Sequence, residues 1–330
     1  MKFSLDKYKF AFFKDENGKD IVDQANVDRL IDYAIEHGVN YFDTAYIYPG
    51  SEAALGEILE KHNLRSRVNI ATKLPHYLIK NPEGLEKLFQ EELRRLQTDH
   101  VDFYILHAMN KDRLKQMQEL DYKKFYAEAM AQGKVRYPGF SFHDDYDCFM
   151  DILNDWDQWK MAQVQMNILD TDNQAQLEGI RYAGEKGVPV VIMEPVKGGS
   201  LVNLPASAQK VLDRLEGGSN ASYAIRFAAS PEGMMMVLSG MSNMEQMEDN
   251  LSYMENFQPL NQEERQALDK VCEIMRSQSI SRHNIINRNT VGHPDVELEG
   301  CIVLACISHN VQWQNSLLAK GKHSIVSIQL

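Results

Sequence analysis

The sequence predicts an α/β protein, a (β/α)8 TIM barrel whose first strand and C-terminal tail are atypical. Seven short apolar runs recur at intervals long enough for one strand and one helix each. Most runs are apolar throughout, which is typical of strands in a parallel sheet covered by helices. Polar residues close or directly follow three of the runs, where the catalytic face of a barrel would lie. This placement favours a closed barrel over an open doubly wound sheet with the same alternation.

The predicted strands are rich in β-branched and aromatic residues. In chain order they are VNYFD (39–43), VNIAT (68–72), VDFYIL (101–106), VRYPGFS (135–141), MAQVQM (161–166), VPVVIM (188–193) and MMMVLS (234–239). The first barrel strand would be YKFAFF (8–13), but the turn-like segment DENGKD follows it closely and the strand contains no glycine. We therefore expect an atypical first strand.

Helix signals occupy the intervals between these runs. The segment DQANVDRLIDYAIEHG has apolar residues one helical turn apart, and Gly38 follows as a stop signal. Asn81 and Pro82 open the next clear helix with a cap residue and a proline at the first helical position. Asn261 and Glu264 have the spacing of a capping box.

The character of the chain changes near residue 277. Residues 1–276 contain the strand–helix alternation and are predicted to form the barrel. Residues 277–330 show neither a clear helical period nor a strand–turn rhythm. We expect them to form a divergent tail, whose structure the sequence does not predict.

Composition and charge exclude several classes of protein. The 330 residues are 44% hydrophobic and 25% charged, and no apolar run approaches the roughly 18 residues of a membrane span. The formal net charge is −12, so neither nucleic acid nor an anionic membrane is an expected partner. Because the first residues lack a signal-peptide core, we expect a cytoplasmic protein. The four cysteines form no C-x-x-C pair, so we expect thiols and no metal site, while the oligomeric state is not indicated.

Four polar side chains close or follow three consecutive apolar runs. They are Asp43, Tyr48, Lys73 and His107, and Tyr46 is a competing tyrosine in the same loop as Tyr48. A tyrosine with the usual pKa near 10 needs a neighbouring cation to give up its proton at neutral pH. Lys73 would supply that cation and Asp43 would balance it, while His107 could hydrogen-bond a carbonyl oxygen. The set suits general acid catalysis on a substrate oxygen.

These segments resemble a known family. GVNYFDTAYIYPGSEAALGEIL, IATKLP and DFYILH resemble the aldo-keto reductase signatures in order and spacing, and the resemblance extends over roughly residues 20–276. It implies a (β/α)8 barrel that uses NADP(H), or less often NAD(H), to reduce an aldehyde or ketone to an alcohol, or the reverse. It also implies that Tyr48 is the general acid, that Asp43 and Lys73 tune its acidity, and that His107 orients the carbonyl of a small-molecule substrate.

The resemblance assigns the nicotinamide end of the cofactor as well. It implies that Ser141 and Gln163 hold the carboxamide, although Phe142 stands where the family has an asparagine. Met193 stands where the family often stacks an aromatic ring on the nicotinamide. A thioether could pack there, and a methionine in the core of a strand is an equally good interpretation.

The resemblance leaves the choice between NADP and NAD open. It places the phosphates near VKGGSL (196–201) and SGMSNMEQMEDN (239–250). Gly240 and Gln246 stand where a lysine and an arginine often bind the 2′-phosphate, and Asn250 stands where the family contacts adenine.

The sequence also bears on an iron–sulfur cluster and on two alternative functions. The most similar subgroup has a C-terminal ferredoxin-like segment, but the tail contains only Cys301 and Cys306, so we expect no iron–sulfur cluster. A non-catalytic regulatory protein that binds the nicotinamide cofactor on the same barrel stays open because both ends of the chain are altered. A metal-dependent hydrolase is disfavoured, because His107 and Asp43 are the only candidate ligands.

Overall fold

Strands alternating with helices form the centre of the molecule. The computed structural model describes residues 12–14, 20–171, 174–283, 303–307 and 327–329. The strands are β1 (Phe12–Lys14), β2 (Asp20–Val22), β3 (Tyr41–Asp43), β4 (Asn69–Leu74), β5 (Val101–Met109), β6 (Val135–Phe142), β7 (Met161–Gln165), β8 (Val190–Met193), β9 (Met234–Gly240), β10 (Val303–Ile307) and β11 (Ser327–Gln329). The helices are α1 (Gln24–Glu36), α2 (Ser51–Lys61), α3 (Pro82–Arg95), α4 (Lys111–Glu119), α5 (Tyr122–Ala131), α6 (Tyr146–Asp155), α7 (Gln176–Glu185), α8 (Ala206–Leu212), α9 (Asn220–Ala228), α10 (Met244–Met254) and α11 (Gln262–His283), with 3-10 turns at Arg65–Arg67 and His76–Leu78.

The seven strands from β3 to β9 form a curled parallel sheet. Each strand from β3 to β8 pairs in parallel with the next strand along the chain. Each of the seven strands also overlaps one of the seven predicted apolar runs, so the strand predictions are confirmed. Because helices connect parallel strands in sequence order, all the carboxyl ends of these strands lie at one face of the sheet.

The prediction that YKFAFF (8–13) forms the first barrel strand is wrong for residues 12 and 13, the two that the structure describes. Residues 12 and 13 belong to β1, which pairs antiparallel with β2 in a separate two-stranded sheet; residues 8–11 lie outside the described residues. The physical reason is the short segment between the two strands, which contains an Asn-Gly pair. Such a pair favours a local hairpin over pairing with a distant barrel strand.

Two short strands of the tail lie at the edges of the curled sheet. β10 pairs antiparallel with β9, and β11 pairs in parallel with β3. Both lie close to both edge strands and to each other, so they occupy the interval that an eighth strand would fill. The predicted domain boundary at 276/277 falls within α11.

Side-chain caps begin most of the helices. Asn81 accepts a hydrogen bond from the backbone N–H of Gly84 and precedes Pro82, as the sequence predicts. Asn261 and Glu264 form the predicted capping box, each bonding the backbone N–H of the other. None of the described helices is both long and apolar enough to cross a membrane.

The pleat of the sheet separates an inner core from an outer one. The inner core consists of buried apolar residues that we call the inner cluster: Tyr41, Ala71, Phe103, Ile105, Met161, Val191, Met235, Met236 and Leu238. The alternate strand residues pack outward against the helices. Several predicted site residues lie two positions after a member of the inner cluster and therefore point inward at the carboxyl face, namely Asp43, Lys73, His107, Gln163 and Met193.

Two buried carboxyl groups lie between the sheet and the helices α2 and α3. Glu52, which is 2% exposed, accepts a hydrogen bond of 2.6 Å from Thr72 and lies 3.3 Å from Arg95. Burial raises the pKa of Glu52 to about 7, although Thr72 and Arg95 oppose this rise. Glu92 accepts a hydrogen bond from Tyr104, and burial raises its pKa well above the usual range.

We predict that Glu52 makes stability depend on pH. Between the ordinary pKa of 4.5 and about 7, the folded state binds more protons at this group than the unfolded state does. The free energy of unfolding should therefore fall as pH rises through this window, by no more than about 3 kcal/mol from this group. Urea denaturation at several pH values should show a shallower fall in Glu52→Gln. Exposed Glu57→Gln on the same helix is the control, and an unchanged slope in Glu52→Gln would contradict the assignment.

Candidate active site

The four predicted catalytic residues lie together at the carboxyl ends of β3, β4 and β5. Asp43 ends β3, Tyr48 lies in the following loop, and Lys73 and His107 lie near the ends of β4 and β5. The Lys73 Nζ donates a hydrogen bond to Asp43 and lies 5.0 Å from the centroid of the Tyr48 ring. The rings of Tyr48 and His107 meet edge to face, with centroids 6.0 Å apart. The structure thus brings all four side chains into one site, while their catalytic roles stay predictions.

Asp43 and Lys73 form a buried ion pair. The other carboxylate oxygen of Asp43 accepts a hydrogen bond of 3.1 Å from Gln163, and the Lys73 ammonium also donates to the Thr44 carbonyl oxygen at 2.9 Å. Burial raises the pKa of Asp43, and the charge and hydrogen bonds around it limit this rise. Burial alone would lower the pKa of Lys73, but its interactions with Asp43 and Tyr48 outweigh burial and raise it. Lys73 is therefore held as a cation beside the tyrosine.

The structure separates the two tyrosines of the loop after β3. Tyr46 stacks on Arg95, whose guanidinium carbon lies 4.0 Å from the centroid of the Tyr46 ring. Arg95 also donates to the Tyr46 carbonyl oxygen at 3.2 Å. Tyr48, by contrast, faces Lys73 and His107. Tyr48 is the tyrosine of this loop that the ion pair can influence.

His107 is a neutral imidazole at neutral pH. Burial lowers its pKa well below the usual value, and Lys73, His143, His76 and Arg113 lower it further. Its Nδ1 has no hydrogen-bond partner among the residues that the structure describes. A neutral ring can both donate and accept a hydrogen bond, so His107 is suited to orienting a polar ligand.

The backbone after His107 has an unusual conformation. Ala108 has φ of 51°, in the left-handed region that residues with a Cβ seldom adopt, and the β5–β6 register shifts between Leu106 and Met109. The Ala108 N–H donates to Ser141 Oγ at 2.7 Å, and Arg113 donates to its carbonyl oxygen. These two contacts hold the turn. Nothing in the sequence around an alanine signals such a conformation.

The residues predicted to hold a nicotinamide carboxamide offer suitable groups. Gln163 is 1% exposed, and its Oε1 has no partner among the described residues. Ser141 is equally buried, and its hydroxyl can donate a hydrogen bond while its oxygen accepts from the Ala108 N–H. An amide has both donors and an acceptor, so it fits this pair. Met193 ends β8, is partly buried and packs against the inner cluster.

Gly240 and Gln246 lie at the predicted phosphate end of the site. Gly240 ends β9 and pairs with Val303 of β10. The Gln246 side chain accepts a hydrogen bond of 2.7 Å from the Ser242 N–H, and its backbone N–H donates to Asn243 at 2.9 Å. Gln246 thus takes part in the capping of the N-terminus of α10.

Asn250 lies inside the protein. Its side-chain nitrogen donates to Ser239 Oγ at 3.0 Å, and its side-chain oxygen accepts from the Tyr253 hydroxyl. The amide is therefore engaged within the chain, and an adenine contact by Asn250 stays a prediction. In the other predicted phosphate segment, Lys197 forms an ion pair with Asp170.

A comparison of sequences assigns the family. The family model described as the aldo/keto reductase family matches residues 12–273, which include all four residues around the ion pair. The chain belongs to the aldo/keto reductase family. This match confirms the resemblance that the strand-end motifs indicate. Membership of this family also excludes the alternative fold, an open doubly wound sheet.

Curated relatives are similar over different parts of the chain. A 6-dehydroglucose reductase of Novosphingobium aromaticivorans is 30% identical over 241 residues, which are 67% of this chain and 74% of that protein. Protein tas of Escherichia coli is 27% identical over 151 residues, 36% of this chain. The chain spans only 44% of the length of protein tas.

Solved structures confirm the (β/α)8 fold class. The holo form of aldo-keto reductase AKR11C1 from Bacillus halodurans has a TM-score of 0.62 and 25% identity, over 76% of this chain and 88% of that one. An aldo-keto reductase from Klebsiella pneumoniae in complex with NADP and acetate has a TM-score of 0.61 over 75% of this chain and 85% of that one. At 22% identity this second likeness shows the fold alone.

We predict that the ion pair contributes strongly to stability. In Asp43→Asn the Lys73 ammonium would lose its counter-charge inside the protein, which should lower the free energy of unfolding by about 3–5 kcal/mol. Chemical denaturation at neutral pH measures the loss. Asp99→Asn is the matched control, because Asp99 is 95% exposed and forms its ion pair at the surface with its neighbour His100. A loss below about 1 kcal/mol, as for a surface pair, would contradict a charged buried pair.

Proposed function

We propose that the protein reduces the carbonyl of an aldehyde or ketone to an alcohol with a nicotinamide cofactor, or catalyses the reverse reaction. One observation carries this proposal: the Lys73 ammonium, fixed by Asp43, lies beside the Tyr48 ring. A positive charge at this position stabilises the phenolate that is left when Tyr48 gives its proton away. Membership of the aldo/keto reductase family and the similarity to named reductases support the reaction class.

Each residue of the site has a role in this reaction. A reduced nicotinamide, when bound, would supply the hydride for the new C–H bond at the carbonyl carbon. Tyr48 gives its hydroxyl proton to the carbonyl oxygen, so that the alcohol leaves neutral. His107 orients that oxygen through a hydrogen bond from its neutral ring. Ser141 and Gln163 would hold the carboxamide, which would fix the cofactor relative to Tyr48.

We infer that NAD(H) is accepted at least as well as NADP(H). Gly240 and Gln246 carry no positive charge, and Glu245 adds a negative one in the first turn of α10. A 2′-phosphate would therefore gain no ion pair from these residues. A Schizosaccharomyces pombe relative, 35% identical over 30% of this chain, is named an NAD/NADP-dependent indole-3-acetaldehyde reductase.

A regulatory protein that binds the cofactor without turnover is the second candidate. One observation favours it: within the described part of the chain, no strand before α1 joins the barrel, and two tail strands occupy that interval instead. Binding without any Tyr48-dependent oxidation of the cofactor would distinguish this candidate from the reductase.

We predict that Tyr48→Phe lowers kcat by about 10²–10⁴-fold, the range expected for loss of a general acid. The ring would stay in place, so NAD(P)H binding should be unchanged. Absorbance at 340 nm with a panel of aldehydes and ketones measures turnover, and nicotinamide fluorescence measures binding. Tyr46→Phe is the matched control and should keep full activity, because Tyr46 stacks on Arg95. Full activity of Tyr48→Phe would exclude Tyr48 as the acid.

We predict that Gln246→Arg shifts the cofactor preference towards NADP(H). A charge-assisted hydrogen bond to the 2′-phosphate should lower the Kd of NADPH relative to NADH by about 10-fold or more. Gln246→Met also removes the capping contact with Ser242 but adds no charge, so it controls for damage to α10. If the NADPH-to-NADH ratio of Kd values is the same in both variants, Gln246 does not face the 2′-phosphate.

A further inference from the structure

Arg113 lies beside the catalytic face, and the family resemblance gives it no role. It is the third residue of α4, and its guanidinium reaches back to the carbonyl oxygen of Ala108, the neighbour of His107. The guanidinium carbon also lies 5.9 Å from the centroid of the Tyr77 ring. Arg113 is therefore held between the loops that follow β4 and β5, which frame the site.

The charge of Arg113 has no counter-charge in the described part of the chain. Arg113 is half-buried, and the Ala108 carbonyl oxygen is the one acceptor that its guanidinium contacts among the described residues. Arg65, Arg95 and Arg226 are also largely shielded from water, and each of them pairs with a carboxylate. A shielded cation with free N–H groups is stabilised by an anion from outside the chain.

The groups around Arg113 leave the local charge positive. His76 and His143 follow the strands β4 and β6, and His107 lies near the end of β5 between them. Burial and then Arg113 lower the pKa of His76 to about 4, and burial is also the first cause of the lowered pKa values of His107 and His143. These three imidazoles are neutral at neutral pH. The carboxylate and ammonium groups of the buried ion pair balance each other, so Arg113 sets the sign of the charge.

An apolar rim lies in the loops on this side of the sheet, and one of its members, Tyr77, contacts Arg113. Ile47, Tyr77 and Leu78 are large apolar side chains that are 41%, 47% and 53% exposed, in the loops after β3 and β4. Aromatic or aliphatic groups of a ligand could pack against such a rim. A cation beside an apolar surface is complementary to a ligand with a charged end and an apolar body.

We propose that Arg113 selects a substrate that bears a carboxylate on an aromatic or apolar body, at a distance from the reacting carbonyl. This inference rests on the proposed carbonyl reduction. A guanidinium can bind a carboxylate through two parallel hydrogen bonds. Because Ala108 fixes the guanidinium, the carboxylate would anchor the far end of the substrate while its carbonyl lies between Tyr48 and His107.

The test compares two probes of nearly equal size, 4-carboxybenzaldehyde and its neutral amide, 4-formylbenzamide. We expect the wild type to have a higher kcat/KM for the acid, and Arg113→Met to lower this value by about 10- to 100-fold more than it lowers that of the amide. Arg113→Lys keeps the charge and should keep part of the preference. Lys115→Met removes an exposed charge from the same helix and should change neither value.

Two kinetic results would overturn the inference. One is a wild type without preference for the acid. The other is an equal loss for both probes in Arg113→Met, which would mean that Arg113 acts only by holding the backbone next to His107.

Calorimetric titration of the cofactor-loaded protein with benzoate and benzamide separates this inference from the proposed function. If no aldehyde is reduced but benzoate binds and Arg113→Met abolishes that binding, the reductase proposal fails while the carboxylate site stands. Equal binding of benzoate and benzamide would overturn the site.

Discussion

The buried ion pair between Asp43 and Lys73 is the interaction on which the rest of the site depends. Two charges without water are tolerated here because other polar groups satisfy both of them: Gln163 bonds the carboxylate and the Thr44 carbonyl bonds the ammonium. These four residues come from β3, the loop after it, β4 and β7, so the pair also ties distant strands together. The same charge that stabilises the proposed phenolate of Tyr48 is thus part of the packing of the barrel.

The fold and the centre of the site could be predicted because they follow from local pattern. Continuous apolar runs predict the parallel strands, and the two-residue pleat then decides which strand-end residues point inward. Asp43, Lys73 and His107 each follow a member of the inner cluster by two positions. Tyr48 lies in a loop, so the two-residue alternation of a strand does not predict where its side chain points. The structure favours it over Tyr46 because Arg95 engages Tyr46.

Other features could not be predicted because they depend on contacts between distant segments. The hairpin of β1 and β2 takes residues that the sequence assigns to the first barrel strand, and two tail strands occupy its place without any sequence signal. The left-handed conformation of Ala108 is held by hydrogen bonds with Ser141 and Arg113. No pattern in the sequence indicates that these residues contact Ala108. Arg113 reaches the site through this contact, and the proposed preference for a carboxylate rests on its charge, which has no counter-charge among the described residues.

A double-mutant cycle of Lys73→Met and Tyr48→Phe tests most directly whether the ion pair acts through the tyrosine. Its readout is kcat for reduction of one aldehyde by the wild type, both single variants and the double variant. If Lys73 serves only to stabilise the charge on Tyr48, the double variant should be no slower than the slower single variant. Losses that multiply in the double variant would show that Lys73 and Tyr48 act independently, and would contradict the account.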